Sequence, residues 1–246
     1  MAPVASAFVL DDDQVERALV VCAHPDDVDF AAAGTVATWT DAGIEVTYCL
    51  VTDGDAGGFD AAIARTEIGP MRRREQAAAA KELGVEELVF LGYPDGRLQP
   101  TLELRCDLAR VIRQVRPQRV IGQSPARNFQ RIAASHPDHL AAGEATLCAV
   151  YPDARNEFAF PELMAEGLEP WIVPEVWLMG GPEPNRVVDI TDQVERKVRA
   201  LLQHGSQHPD PKNMERRVRA WFADTGQRLG LAEGRSAEAF LVLETA

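Results

Sequence analysis

The run ALVVCAHPDD, residues 18–27, decides how the rest of the chain is read. Its first six residues are apolar and uncharged, the pattern of a short strand buried on both faces. His24 and Pro25 stop that strand. Pro25 suits the first position of a helix, where its missing N–H would have no partner in any case. With His24 as N-cap, Asp26 and Asp27 fall in the first helical turn, where free N–H groups and the macrodipole favour carboxylates. An acidic helix start explains these residues in purely structural terms. The alternative is that His24 and Asp27, three residues apart, converge on one metal ion.

The same grammar repeats outward from this point. After a helix over residues 25–42 comes a strand over Glu45–Thr52 (EVTYCLVT), then the loop DGDAGGFD over residues 53–60. Pro70 opens a helix over residues 71–83, with Gly84 at its end, and a third strand covers residues 87–91. In the helix over Leu102–Val115, the residues Leu104, Leu108, Val111, Ile112 and Val115 share one face. Arg119–Gln123 is the fourth strand. This alternation predicts an α/β fold with a doubly wound, mostly parallel, Rossmann-like sheet covered by helices on both faces. Ligands in such sheets bind beyond the carboxyl ends of the strands. Functional residues are therefore expected just after Ala23, Thr52, Leu91 and Gln123.

The second half carries a helix over residues 136–150 and a Pro- and Glu-rich connection over residues 152–174. Strands over Glu175–Met179 and residues 186–190 follow, with helices over residues 191–204 and 213–229. Neither an internal repeat nor a low-complexity tract interrupts the chain, so residues 1–246 read as one domain, with 1–16 as an N-terminal arm.

A net charge of −13, spread along the chain, repels phosphate backbones and anionic lipid. Nucleic acid and membrane surfaces are excluded as partners on that ground. The N-terminus lacks the basic and apolar regions of a signal peptide, and no stretch is long and apolar enough to span a bilayer. The expectation is a cytoplasmic protein. Cys22, Cys49, Cys106 and Cys148 show no C-x-x-C spacing and read as small buried hydrophobes in a reducing compartment.

The decisive second element is SHPDH, residues 135–139. It again sets a histidine before a proline and an acid, with a further candidate ligand one turn on. Since it follows the fourth strand by a dozen residues, it belongs on the same sheet edge as the first motif. His24, His136 and His139, three of the five histidines of the chain, thus fall in two His-Pro-Asp turns facing one another.

At these residues the chain resembles the PIG-L/LmbE-like zinc-dependent N-deacetylases, whose two signature motifs AHPDD (23–27) and SHPDH (135–139) match. RRREQAAAAKELG (72–84), GYPDGRL (92–98), HGSQ (204–207) and AEAF (237–240) are similar too, so the likeness spans almost the full length. The chain departs from many members in having Val28 and then Asp29 where glutamate follows the paired acids; Asp29 is expected behind the metal ligands. The resemblance implies removal of an acetyl or other acyl group from the amide nitrogen of a small N-acyl amino sugar or related metabolite.

In that reading His24, Asp27 and His139 hold one Zn2+ per chain. Such a centre lowers the pKa of water and polarises a carbonyl. Asp26 is the general base toward the attacking water, His136 stabilises the oxyanion or protonates the leaving amine, and Asp138 orients His136. Arg72, Asp95, His204 and Gln207 are the expected substrate-side residues, and loops 53–70, 129–134 and 151–174 the expected mouth. No dinucleotide loop is present, so no organic cofactor is expected.

Two histidines and a carboxylate also suit Fe2+, which stays open beside zinc. A thiol-conjugate amidase on the same site and a non-catalytic metabolite sensor are the remaining alternatives. Oligomeric state is left open.

Overall fold

The computed structural model describes residues 9–245. Its seven strands are β1 (Arg17–Cys22), β2 (Glu45–Thr52), β3 (Glu87–Tyr93), β4 (Arg119–Gln123), β5 (Glu175–Met179), β6 (Arg186–Asp189) and β7 (Ala237–Glu244). They form one sheet in the order β3-β2-β1-β4-β5-β7-β6. β1 to β5 are parallel, and β7 runs antiparallel to both β5 and β6. The expected doubly wound, mostly parallel sheet is therefore present. β1 leads to β2 on one side and lies against β4 on the other, which opens the crevice beyond their carboxyl ends where such folds bind ligands.

Alternation along residues 18–23 shows why this apolar run forms a central strand. Ala18, Val20 and Cys22 enter the core on one face; Leu19, Val21 and Ala23 enter the core on the other. Among the described residues, eight α-helices accompany the sheet: α1 (Asp27–Ala31), α2 (Ala33–Asp41), α3 (Arg65–Glu82), α4 (Leu102–Val115), α5 (Pro137–Cys148), α6 (Pro161–Ala165), α7 (Val194–Leu202) and α8 (Pro211–Arg228). The first core joins Val36 and Trp39 of α2, Ala79 and Ala80 of α3 and Ala200 of α7 to Trp177 and Phe240 of the sheet. The second takes Leu104 and Leu108 of α4 and Ala141 and Ala145 of α5. α5 lies so close to β4 that a Cβ on Gly143 would sit 2.2 Å from the carbonyl oxygen of Gln123. That approach brings the start of α5, and with it the second His-Pro-Asp turn, over the end of β4.

Several expected elements differ in ways that matter for the site. The single helix over residues 25–42 is two helices, broken at Ala32 (φ −139°), and its cap is Asp26 in the left-handed region (φ 80°), not His24 followed by Pro25 at the first position. His24 and Pro25 instead form a turn ahead of the helix. α3 begins at Arg65, so Pro70 lies inside it. Close to the start of a helix, proline forfeits one backbone bond, here from its nitrogen to the carbonyl of Thr66. The last strand, β7, was anticipated only as a similar segment and not as a strand. Of the N-terminal arm, residues 1–8 lie outside the described residues, while Val9 and Leu10 pack against the first core.

β7 is tied to the helical layer by a buried charge pair. Glu238 accepts hydrogen bonds from the backbone N–H of Gly34 (2.9 Å) and Thr35 (2.8 Å) and from the Thr35 hydroxyl (2.6 Å). Lys197 of α7 donates to the same carboxylate and to the carbonyl of Phe30 at 2.8 Å, with its ammonium 4.0 Å from the centre of the Phe222 ring. Removing one partner of a buried pair leaves the other charge uncompensated, at a cost of about 3–5 kcal/mol. Glu238→Ala is expected to lower unfolding stability in urea by that amount, and a loss under ~1 kcal/mol would show that the pair does not hold the layers together.

Candidate active site

The site is built where β1 and β4 end. Gln123, the last residue of β4, accepts the N–H of Ala23 at 2.9 Å and donates to Asp27 Oδ2 at 3.0 Å, fixing the end of one strand to the motif that leaves the other. His24 also donates its backbone N–H to Asp27 Oδ2 at 2.8 Å. The Asp27 carboxylate then lies between two imidazoles, with Oδ2 3.3 Å from His24 Nδ1 and Oδ1 3.0 Å from His139 Nε2. His136 completes the group: its ring centre is 5.1 Å from that of His24 and 5.3 Å from that of His139. The two His-Pro-Asp turns, more than a hundred residues apart in sequence, thus meet.

The far side of His24 is equally occupied. Its Nε2 lies 3.1 Å from Asp95 Oδ1 and 3.3 Å from Asp138 Oδ2. Asp138 is fixed in turn by the N–H groups of Gly96 (2.7 Å) and Leu98 (3.2 Å), and Asp95 by that of Ala56 (3.0 Å). Asp138 therefore does not orient His136 through its carboxylate, as the sequence reading had it, because that carboxylate is committed to His24 and to the turn after β3. Its backbone N–H reaches His136 Nδ1 at 3.3 Å instead, which leaves the Nε2 proton of His136 free to donate. Asp95, expected on the substrate side, belongs to the wall around His24.

This charge pattern favours a cation. Burial opposes charging of the His24 ring, yet the Asp27 charge and the hydrogen bonds the ring donates to Asp138, Asp27 and Asp95 push its pKa up to about 12. Burial also works against ionised Asp27, but His139 and His24 hold it well below the usual carboxylate range. A divalent ion would meet the same demand while leaving both imidazoles neutral. Tetrahedral zinc with bonds of about 2.0–2.1 Å has edges between ligand atoms of roughly 3.3 Å, the scale on which the Asp27 oxygens meet the two ring nitrogens. The donor atoms of His24, His136 and His139 all lie within 4.8 Å of one another. The residues present fit a divalent metal. With the metal on His24 Nδ1, the Nε2 proton would be held by Asp95 and Asp138, the outer carboxylates that set the tautomer of a ligating histidine.

Asp26 stands beside this cluster in an unusual backbone state. A residue with a side chain in the left-handed region costs roughly 1–2 kcal/mol relative to its ordinary conformation. Burial raises its carboxyl pKa to about 6; Arg72 opposes the rise and the Asp27 charge adds to it. Burial likewise lowers the pKa of His136, helped by the charges of His24 and His139, so this ring is neutral near pH 7.

Arg72, expected on the substrate side, is buried against the turn that carries Asp26. Because α3 starts at Arg65, Arg72 lies two turns in, buried, donating to the carbonyls of Pro25 (2.6 Å) and Gly54 (3.0 Å) and to Asp26 Oδ2 (3.2 Å). The glycines of the loop after β2 make room for it: a Cβ on Gly54, itself at φ 65°, would fall 2.2 Å from Arg72 Nη1. His204 is fully buried as well and meets Asp29 Oδ2 at 2.8 Å, behind the cluster where Asp29 was expected. Gln207 stays half-buried, bonded to the Ser206 hydroxyl at 2.9 Å. Beside it runs a groove of about 380 Å3 lined by Phe59, Ile63, Ile68 and Met71 on one side and Gly205, Ser206 and Pro209 on the other. Sequence reasoning missed Gln123 and Gln76, although Gln123 ends a strand at the predicted edge and Gln76 follows Arg72 by one helical turn.

A doubly wound sheet with a histidine–carboxylate cluster at its switch point defines a class of α/β protein with a candidate metal site. The chain belongs to the PIG-L family, whose model, described as GlcNAc-PI de-N-acetylase, matches residues 19–150. It is an enzyme of the class that hydrolyses amide C–N bonds. A diacetylchitobiose deacetylase of Thermococcus kodakarensis is 35% identical over 198 residues, covering 80% of this chain and 72% of the relative. A probable N-acetyl-alpha-D-glucosaminyl L-malate deacetylase 2 of Bacillus cereus is 31% identical over 217 residues, covering 83% and 93%. Among solved structures, the N,N'-diacetylchitobiose deacetylase from Pyrococcus horikoshii matches with a TM-score of 0.88 at 30% identity, covering 96% of this chain and 88% of that one.

The geometry separates ligands from neighbours experimentally. Elemental analysis of protein purified without added metal is expected to find about one divalent ion per chain in the unaltered protein and in Asp26→Asn. His139→Ala is expected to lose it. Full metal content in His139→Ala would remove His139 from the ligand set.

Proposed function

We propose that the protein removes an acetyl group from the amide nitrogen of a small N-acetylglucosamine-type substrate, with His24, Asp27 and His139 holding a zinc ion. The observation that carries this reading is the Asp27 carboxylate set between His24 and His139, with Asp26 next to it in the left-handed region. The names of the relatives support the acetamido sugar as the substrate class. When bound, the metal supplies Lewis acidity toward the amide carbonyl and lowers the pKa of water.

Each remaining role falls to a side chain of this chain. Asp26, with its pKa near 6, is ionised at neutral pH yet basic enough to take the proton of the attacking water. His136, neutral and with Nε2–H free, donates toward the oxygen on which charge develops or gives a proton to the leaving amine. Asp95 and Asp138 hold the His24 ring in one tautomer. The groove between residues 57–71 and 205–209 offers room for the part of the substrate remote from the amide. Residues 1–246 act as one catalytic domain, and the substrate is a free small molecule.

Iron in place of zinc is compatible with the same donors, and the metal found on elemental analysis decides between them. A thiol-conjugate amidase would use the same groups on a different acyl amine.

Free-amine release from N,N'-diacetylchitobiose, N-acetylglucosaminyl malate and thiol-bearing N-acetylglucosamine conjugates tests the reading directly. Turnover of at least one acetamido sugar is expected, abolished by a chelator and restored by zinc. Asp26→Asn is expected to lower kcat by about 10²–10⁴-fold with its metal retained. Wild-type turnover in Asp26→Asn would show that another group takes the proton.

A further inference from the structure

The backbone around Asp26 carries a constraint that neither metal binding nor proton transfer explains. The N–H of Asp27 reaches the carbonyl of His24 at 3.4 Å, closing a four-residue turn. Pro25 is its second residue and Asp26, at φ 80° and ψ −24°, its third. Those angles define a type II turn, whose third position ordinarily takes glycine. The type I alternative suits a residue with a side chain. The two differ by turning over the one peptide between the central residues, here Pro25–Asp26.

Both ends of that peptide are gripped from a single helix. Arg72 Nη2 donates to the Pro25 carbonyl at 2.6 Å, and Gln76 Oε1 accepts the Asp26 N–H at 2.8 Å. Arg72 and Gln76 are one turn apart on α3 and so share a face. Gln76 is itself pinned: its Nε2 donates to Asp29 Oδ2 at 2.9 Å, and the same oxygen meets His204 Nε2 at 2.8 Å. Gln76, Asp29 and His204 are all 0% exposed, so water cannot replace a lost partner without rearrangement.

We propose that Gln76 is a positioning residue for the Asp26 base: with Arg72 it locks the Pro25–Asp26 peptide in the type II orientation and thereby sets where the Asp26 carboxylate points. The inference rests on Asp26 acting as the base. Asp29 and His204 hold the amide of Gln76 with its oxygen toward Asp26, because Asp29 can only accept. Without Gln76 the buried Asp26 N–H loses its acceptor and the turn relaxes toward the type I form. The carboxylate then swings away from the proton it must take, and a misplacement of ~1 Å costs on the order of 10²-fold in rate.

Gln76→Met keeps length and burial while removing both hydrogen bonds. With N,N'-diacetylchitobiose as substrate, kcat per metal-loaded site is expected to fall ~10²-fold, with KM within about threefold and metal content unchanged. Gln76→Glu alone sets two carboxylates against each other. Combined with Asp29→Asn it restores a donor facing an acceptor between residues 76 and 29, with the His204 ring taking its Nδ1–H tautomer so that Nε2 accepts from the new amide; recovery to within about tenfold of wild type is expected, which a residue needed only for stability would not give. A Gln76→Met enzyme within about twofold of wild-type kcat overturns the proposal. So does a paired variant no better than Gln76→Glu alone, and this second comparison decides the matter if Gln76→Met does not fold.

The base assignment fails separately. If Asp26→Asn turns over like wild type, that assignment is wrong, and a crystal structure of Gln76→Met still tests the lock. There φ of Asp26 is expected to become negative, and a peptide unchanged from the parent defeats it.

Discussion

Everything at the catalytic edge depends on the Asp27 carboxylate lying between His24 and His139. One oxygen faces each ring, and the oxygen toward His24 also accepts from Gln123 and from the His24 backbone. A carboxylate buried at this depth is costly unless its lone pairs are met by donors or a cation. That requirement ties the start of α1 to the end of β4 and the start of α5. It can be satisfied only because the sheet places β4 directly beside β1.

Around that centre the protein arranges successive supports. Asp95 and Asp138 hold the outer face of His24, and each is anchored by backbone N–H groups from loops beyond β2 and β3. Arg72 and Gln76 hold the turn that presents Asp26, and Asp29 with His204 holds Gln76. α3 is thus as much a part of the active site as the two His-Pro-Asp turns. It touches none of the expected ligands, yet the base hangs on it. Ligating and proton-transferring groups work at this precision only when the side chains behind them are themselves immobile.

Periodicity in the sequence revealed the strands of the parallel sheet and the helix α4 because burial on both faces leaves an unambiguous apolar signature. β2, β4 and β5 have the expected ends. β7 carries Glu238 as its second residue, so a strand was not evident there; Lys197 and the Gly34 and Thr35 donors together make that carboxylate compatible with burial. Arg72 was expected on the substrate side and is internal. Its charge suggested solvent or substrate, and nothing local announced that Pro25, Gly54 and Asp26 would surround it. Asp138 was expected to hold His136, since chain proximity favoured that ring, but the fold sets its carboxylate against His24.

By itself the sequence determined the two His-Pro-Asp motifs, the sheet edge on which they lie and the family to which they belong, because these follow from local pattern and from residue types confined to short spans. Only the tertiary structure decided which partner each carboxylate meets and that Asp26 occupies a left-handed turn. It alone placed the guanidinium of Arg72 and the amide of Gln76 on one peptide bond. Such contacts join residues some 46 to 114 positions apart, and they are set by strand order and helix packing, to which no local pattern is sensitive.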